Sequence, residues 1–235
     1  MKTELRKIFD ALSTIYETQV DSSSYYNAEY ERPGMLAEIA ENLSDKSILD
    51  AGCAAGWYTN ELLVRGASVT AIDISPQMVE AARRRIGERG KIYCVDLEQA
   101  LPFADASFDI IVSSLTLHYI RDWSSTFKEF NRILKKGGEI IYSVHHPFMD
   151  IKNAGEQGYF ETEAYVDSWH KDGQKFEVPM FRRPLHAIIN ETTKAFKLNA
   201  VKELKPTEQL KELARGSYDY LMSHPHFLVV KGTKE

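Results

Sequence analysis

The sequence predicts an α/β fold, a mostly parallel sheet with helices on both faces. Two observations carry that reading. From Ser47 to Val144 short apolar runs bounded by turn residues alternate with stretches of helical spacing, and this alternation calls for a parallel sheet covered on both sides. Within it, Ser47–Gly56 (S-I-L-D-A-G-C-A-A-G) reads as a buried strand running into a small, glycine-bearing turn and then a helix. Such a unit lets the backbone N–H groups of a helix N-terminus meet a ligand.

The elements follow in order. Leu5, Ile8, Phe9, Leu12, Ile15 and Tyr16 recur at helical spacing, so residues 3–18 read as an amphipathic helix. Val20–Asn27 is polar and reads as a loop, and Pro33 opens a helix through Leu43. Ile48 and Leu49 lead to Asp50 as strand one, Trp57–Val64 is helical, and Ser68–Ile72 is strand two, ending on Asp73. Ser75-Pro76 supplies an N-cap and a first-turn proline for the helix Gln77–Ile86. Lys91–Val95 and Phe108–Ser114 are strands three and four, and Asp122 caps a helix to about Leu134. Lys135-Lys136-Gly137-Gly138 ends that helix before strand five, Glu139–Val144.

The rhythm then breaks. His145–Arg183 has no strong helix signal but many aromatics, with Tyr165–Trp169 and Lys175–Met180 flanking H-K-D-G-Q as a hairpin. An insertion of this length between core elements reads as a functional subdomain. Pro184 restarts a helix to about Thr193, Phe196–Leu204 and Phe227–Lys231 are the last strands, and Glu208–Ala214 is a helix between them.

Gly52 and Gly56 let the backbone turn sharply and approach a ligand closely, and Asp73 lies 23 residues after Asp50, where an acid at the end of strand two grips a ribose. A dinucleotide fingerprint requires G-x-G-x-x-G, and from Gly52 the chain reads G-C-A-A-G-W, so the spacing fails. Asp50, Gly52 and Gly56 instead resemble the first motif, D-x-G-x-G-x-G, of class I S-adenosylmethionine-dependent methyltransferases, with Ala54 in place of the middle glycine. I-D-I-S-P-Q-M-V-E-A-A-R resembles their second motif, and L-P-F-x-D-x-S-F-D-I-I-V matches the run into strand four.

The resemblance spans about Tyr26 to Lys231. It implies a seven-stranded Rossmann-like methyltransferase fold of strand order 3-2-1-4-5-7-6, the last strand antiparallel. It implies S-adenosyl-L-methionine as methyl donor, leaving S-adenosyl-L-homocysteine. Asp73 then holds the ribose, Ile74 and Met78 line the adenine, and Asp96 with the backbone at Leu97 meets the adenine edge. Tyr30, in Y-N-A-E-Y-E-R-P, belongs to a segment that folds over the cofactor, while Ser113 ends strand four at the ligand crevice, with His118 just beyond it. S-V-H-H-P-F and then R-R-P-L resemble one subgroup of type 11 methyltransferases, in which a histidine stands at the position of Arg182.

A base is needed only if the acceptor loses a proton. The candidates are His118, His145 and His146, and His146 is preferred because it matches the subgroup's histidine; hydrogen bonding within the protein is the competing role for each. Tyr165, Trp169 and Phe181 are candidates for an acceptor pocket, and Arg183, beside Arg182, for an anionic substrate. The scattered remaining histidines give no metal-ligand cluster.

The expected organisation is an N-terminal helical segment (1–45) covering the cofactor site, a cofactor-binding core (46–144), an aromatic cap (145–183) and the C-terminal part of the sheet (184–235). Net charge is −5, from 29 basic and 34 acidic residues, which argues against a broad phosphate-backbone partner. No apolar run approaches ~18 residues and no signal peptide is visible, so neither membrane span nor secretion is expected and the location is read as cytoplasmic. Cys53 and Cys94 make no disulfide framework. The expected activity is methyl transfer to oxygen, nitrogen or carbon of a small molecule, with the oligomeric state open. The alternatives are a cofactor-binding protein without turnover and a nucleic-acid methyltransferase.

Overall fold

The computed structural model describes residues 1–20, 24–154 and 158–235. The strands are β1 (Ser47–Ala51), β2 (Ser68–Asp73), β3 (Lys91–Cys94), β4 (Phe108–Ser113), β5 (Leu134–His145), β6 (Glu163–Lys171), β7 (Gln174–Arg182), β8 (Lys197–Glu203) and β9 (Phe227–Thr233). Seven of them form one sheet in the order β3-β2-β1-β4-β5-β9-β8, and β6 and β7 pair separately as a hairpin. Counted without the hairpin, this is the expected 3-2-1-4-5-7-6. β1 to β5 run parallel, and β9 lies antiparallel between β5 and β8.

The central strands are apolar on both faces because helices cover both. Leu49 and Ile111 point to a layer built by the helix α5 (Trp123–Ile133) and by Ile188 and Phe196. Their neighbours Ile48, Ile110 and Val112 point the other way, onto Tyr30, Met35 and Leu62. Trp123, Phe127 and Phe130 of α5 are almost wholly buried. Each contributes about 4–6 kcal/mol of transfer free energy at ~25 cal/mol per Å2, an upper figure because unfolded chains are already partly compact.

The remaining helices are α1 (Lys2–Thr18), α2 (Arg32–Leu36), α3 (Trp57–Val64), α4 (Pro76–Ile86), α6 (Pro147–Ala154), α7 (Leu185–Ala195), α8 (Glu208–Leu213) and α9 (Arg215–Leu221). The expected caps are in place: Ser75 Oγ accepts from the N–H of Met78 at 3.1 Å, and Asp122 Oδ1 from that of Ser124 at 2.9 Å. None of the described helices is long and apolar enough to cross a membrane.

Four expectations need correction. The helix opened by Pro33 stops at Leu36 rather than Leu43, because the Arg65 guanidinium takes the carbonyls of Leu36, Ile39 and Ala40 at 3.4, 3.0 and 3.4 Å. Within Val20–Asn27, residues 21–23 lie outside the described residues, while Tyr25 and Tyr26 are helical and a wide π turn follows at Asn27–Glu31. Helix α6 appears in the aromatic stretch, where the N–H of Phe148 donates to His146 Nδ1 at 3.1 Å and so caps a short segment of weak periodicity. Helix α9 is likewise an element beyond those the sequence pattern predicts. Of the 145–183 stretch, residues 155–157 lie outside the described residues.

Helix α1 and the hairpin form one roof above the C-terminal ends of β1 to β4. Leu5 packs with Val178 and Met180, and Leu12 and Ile15 with Met78 and Ala81 of α4, beside Trp169 and Phe176. The other side of the approach is fixed from the far end of the chain, where the N–H of His226 donates to Tyr30 Oη at 2.9 Å.

Candidate active site

Under this roof lies a cavity of about 540 Å3. Its floor is the turn after β1. Gly52 (φ 88°) leaves no room for a side chain, since a Cβ there would stand 2.2 Å from Thr116 Oγ1. Ala54 also adopts positive φ, 45°, and so carries the left-handed geometry that its motif position ordinarily assigns to glycine. Its N–H donates to Asp73 Oδ2 at 2.9 Å, which ties the turn to the end of β2.

Three carboxylates from three consecutive strand ends line the cavity: Asp50, Asp73 and Asp96. Asp50 is 1% exposed, and burial pushes its carboxyl up to about 7 against the hydrogen bond it accepts from Thr59 Oγ1 at 2.6 Å. Burial likewise raises Asp73 to about 6, opposed by the N–H groups of Ser75 and Ala54. Among the described residues no cation forms an ion pair with Asp50 or Asp73. A ligand bearing positive charge would supply what these two acids lack, and S-adenosylmethionine, with a sulfonium and an ammonium, has that character. Asp96 is different: it accepts from Lys2 Nζ at 2.8 Å, with Glu98 at the same distance from that ammonium.

The roof is aromatic. Phe9, Tyr16, Tyr119 and Trp169 line the cavity, and Phe9 meets the Tyr119 ring edge-on at 5.2 Å. Burial carries the Tyr16 phenol up to about 12, so it stays neutral. At one wall the Arg32 guanidinium lies 3.9 Å from the Trp57 ring centroid. Beside it Glu31, 1% exposed, accepts from Tyr58 Oη and Ser114 Oγ at 2.8 Å each and from Ser143 Oγ at 2.5 Å. Burial raises this carboxyl and the three hydroxyl donors pull against it.

Beyond Thr116 the lining turns to imidazoles: His118, His145 and His226. His118 and His145 stack, with centroids 4.1 Å apart at 24°. Burial holds His118 well below its ordinary range and takes His226 down to about 4, so both are neutral.

Of the residues singled out from sequence, Asp50, Gly52, Asp73, Ile74, Asp96, Leu97, His118 and Trp169 converge on the cavity wall. Others do not reach it. Tyr30 is wholly buried in the core; side chains one residue apart on a helical turn point roughly 100° apart, and here Glu31 takes the wall. Gly56 (φ 80°) serves packing instead, its Cα face 3.0 Å from the Ala82 Cβ if a Cβ is added. Met78 packs between α1 and α4, and Ser113 donates to the Ala51 carbonyl at 2.8 Å, joining β4 to β1.

The largest correction concerns His146. Leaving β5, alternate residues face opposite ways, so His145 meets the cavity while His146 turns to Glu203, Nε2 to Oε1 2.9 Å. Tyr165 is also off the wall and donates to Asp150 Oδ1 at 2.8 Å. Phe181 is buried in the roof. Arg182 is held by Glu163 and the Gly158 carbonyl, and Arg183 by the carbonyls of Ile120 and Arg121 over the Trp123 ring, so neither offers a clamp to an anion. Glu31 is a wall residue that the sequence does not single out; it lies in Y-E-R-P, two residues ahead of Pro33, and its partners come from distant segments. Asp150 carries no sequence signal either, since its partners are assembled only by folding.

Residues 49–142 match the model of the type 11 methyltransferase domain family. An uncharacterized protein of Haemophilus influenzae is 26% identical over 227 residues, covering 88% of each chain. A malonyl-[acyl-carrier protein] O-methyltransferase of Erwinia billingiae is 34% identical over 108 residues, 46% of this chain and 42% of its own length, so the chain spans less than half of that relative. Among solved structures, a Listeria monocytogenes protein designated an S-adenosylmethionine-dependent methyltransferase superposes with a TM-score of 0.74 at 25% identity, over 87% of this chain and 96% of its own. The matched domain covers β1 to β5, the sheet has the order that the resemblance implied, and the cavity opens where the acids of β1, β2 and β3 end. Residues 49–142 are thus a methyltransferase domain of the type 11 family, and the chain as a whole is similar in fold to S-adenosylmethionine-dependent methyltransferases.

Proposed function

We propose that the cavity holds S-adenosylmethionine against Asp50, Gly52, Asp73, Ile74, Asp96 and Leu97, and that a small molecule bound beyond Thr116 receives the methyl group. The observation that carries this reading is the pair of buried acids, Asp50 and Asp73, without an ion-pair partner among the described residues, on one wall of the cavity. Its volume, about 540 Å3, lies in the range of about 300–1,000 Å3 usual for small-molecule sites. The roof of α1 and hairpin favours a small acceptor over a duplex or a folded protein, as does the net charge of −5. The similarity to the malonyl-[acyl-carrier protein] enzyme is confined to 108 residues and so does not carry the acceptor across.

The donor supplies an electrophilic methyl: the acceptor atom bonds to its carbon while the carbon–sulfur bond breaks and the sulfur keeps the electron pair. The protein's part is to hold the acceptor in line and dry, and aromatic walls suit both tasks. Domain roles follow the same reading, with 1–45 and 145–183 as covers for the 46–144 core.

The test is calorimetric titration with S-adenosylmethionine and S-adenosylhomocysteine, then transfer of labelled methyl to a panel of small acceptors. Micromolar binding of both, about −8 kcal/mol, with product formation supports the reading. Binding without transfer to any panel member makes the chain a cofactor-binding protein. Absence of binding by the folded protein sinks it.

A further inference from the structure

At the acceptor end of the cavity, His145 sits with one nitrogen engaged. Its Nδ1 is 3.3 Å from Asp150 Oδ1, and Asp150 is 4% exposed. The same oxygen accepts from Tyr165 Oη at 2.8 Å. Nδ1 faces this oxygen, so Nε2 is the ring nitrogen left to meet a ligand. That nitrogen has no protein partner among the described residues, and the ring lines the cavity. Against its face lies His118, 3% exposed, with neither ring nitrogen hydrogen-bonded among the described residues. Buried polar atoms find partners in native proteins, so an unpaired imidazole on a cavity wall marks where a ligand's polar atom belongs.

We propose that His145 is the proton acceptor of the reaction, positioned by Asp150, and that the methyl acceptor is a small planar molecule whose reacting atom carries a weakly acidic O–H or ring N–H. The inference rests on the methyltransferase reading above and deepens it at the acceptor end. Planarity follows from the walls, where Tyr119, Trp169 and the stacked imidazoles leave flat apolar surface. In the reaction the acceptor's X–H bond breaks and its proton passes to His145 Nε2. The freed lone pair bonds to the methyl carbon as the carbon–sulfur bond breaks with its electrons on sulfur. The positive charge lost from the sulfur reappears on the His145 ring, facing the Asp150 carboxylate, and the proton then leaves to solvent. His118 hydrogen-bonds the acceptor, and Asp150 and Tyr165 position the base without themselves touching the acceptor.

The probe is 4-nitrophenol, added to protein saturated with S-adenosylhomocysteine at a pH below the phenol's own ionisation. The expected result is a saturable phenolate absorption band, which 4-nitroanisole does not give. His145→Asn should keep wild-type affinity for S-adenosylhomocysteine and lose the band by about tenfold or more. Asp150→Asn should leave affinity for the phenol within about threefold while reducing its ionised fraction, a split that loss of packing alone does not produce. With labelled donor, His145→Ala should lose about 100-fold or more in kcat and recover part of it with added imidazole. If the wild type binds S-adenosylhomocysteine but gives no phenolate band, or if His145→Asn gives the same band, the assignment falls. If the wild type does not bind S-adenosylhomocysteine, the methyltransferase reading itself fails.

Discussion

Lys2 Nζ stands 2.8 Å from Asp96 Oδ2, so the first turn of the chain is pinned to the end of the third strand, across the mouth of the cavity. Lys2 also lines the cavity, so the pair holds the start of α1 against that wall. The pair is partly exposed, with side chains 41% and 24% accessible, and such pairs contribute about 0.2–1 kcal/mol. Lys2→Ala should therefore speed release of S-adenosylhomocysteine by up to about fivefold, with Tm little changed. Stopped-flow displacement measures it, and an unchanged off-rate would show that α1 does not gate the site.

Cofactor affinity should rise with pH. Asp73, held at about 6, must ionise to accept from both ribose hydroxyls, and Asp50, at about 7, must ionise to meet the donor's positive charge. Titrations from pH 5 to 8 should show tightening across that window. Asp73→Asn should weaken binding by about tenfold or more and flatten the lower part of the curve. A pH-independent affinity would mean that neither acid faces the donor.

The free protein should show the opposite trend in stability. A carboxyl whose folded pKa exceeds its unfolded value binds its proton more tightly when folded, so its contribution is complete below about 4 and is lost as pH rises through the folded value. For Asp50 that loss runs to about pH 7. The Tm of Asp50→Asn relative to wild type should increase from pH 5 to pH 8, since the amide has no charge to bury. Thermal melts of the two proteins in parallel would reverse the assignment if the gap stayed constant.

Glu31 gathers donors from three further segments, through Tyr58, Ser114 and Ser143. Glu31→Gln places an amide N–H₂ where one of these hydroxyls donates, at a cost of about 1–3 kcal/mol. Tm should fall by about 2–4 °C for each kcal/mol at this chain length. Ser114→Ala, which removes one donor only, should cost less. Equal melting of Glu31→Gln and wild type would show the cluster to be incidental.

Ala54 holds φ at 45°, a conformation that costs an L-residue about 1–2 kcal/mol. Ala54→Gly relieves this and loses about 0.5–1 kcal/mol to the greater freedom of the unfolded chain. The expected net effect is a rise in Tm of a degree or two, about 0–1 kcal/mol, with tighter cofactor binding through a better placed N–H to Asp73. A drop in Tm would show the alanine methyl to be packed rather than strained.

What the sequence made legible was local. Glycine spacing, the strand-end acids Asp50, Asp73 and Asp96, and the caps Ser75 and Asp122 depend on neighbours in the chain, and all stand where the pattern placed them. The resemblance supplied the strand order, which no short-range pattern encodes. The acceptor end is not legible in the sequence because its geometry is a matter of which way each residue leaves β5. His145 and His146 are adjacent and chemically identical, and only the pairing of β5 with β9, continued by the bond from His146 N–H to the His226 carbonyl at 2.8 Å, decides which one faces inward. Arg182 and Arg183 failed as candidates for a similar reason, since the carbonyls that hold them come from distant loops.

The bond from His226 N–H to Tyr30 Oη joins residues 196 positions apart. On a ribosome adding about 5–20 residues per second, Tyr30 is made roughly 10–40 s before its partner exists. Throughout that interval the segment around Glu31 and Arg32 lacks its anchor beside β9, the strand that joins β8 to the rest of the sheet. A nascent chain can thus pair β1 to β5 early while the cavity stays unformed. The cofactor becomes a folding ligand only once β9 has emerged. Truncating that strand should therefore abolish cofactor protection against proteolysis before it abolishes the parallel sheet.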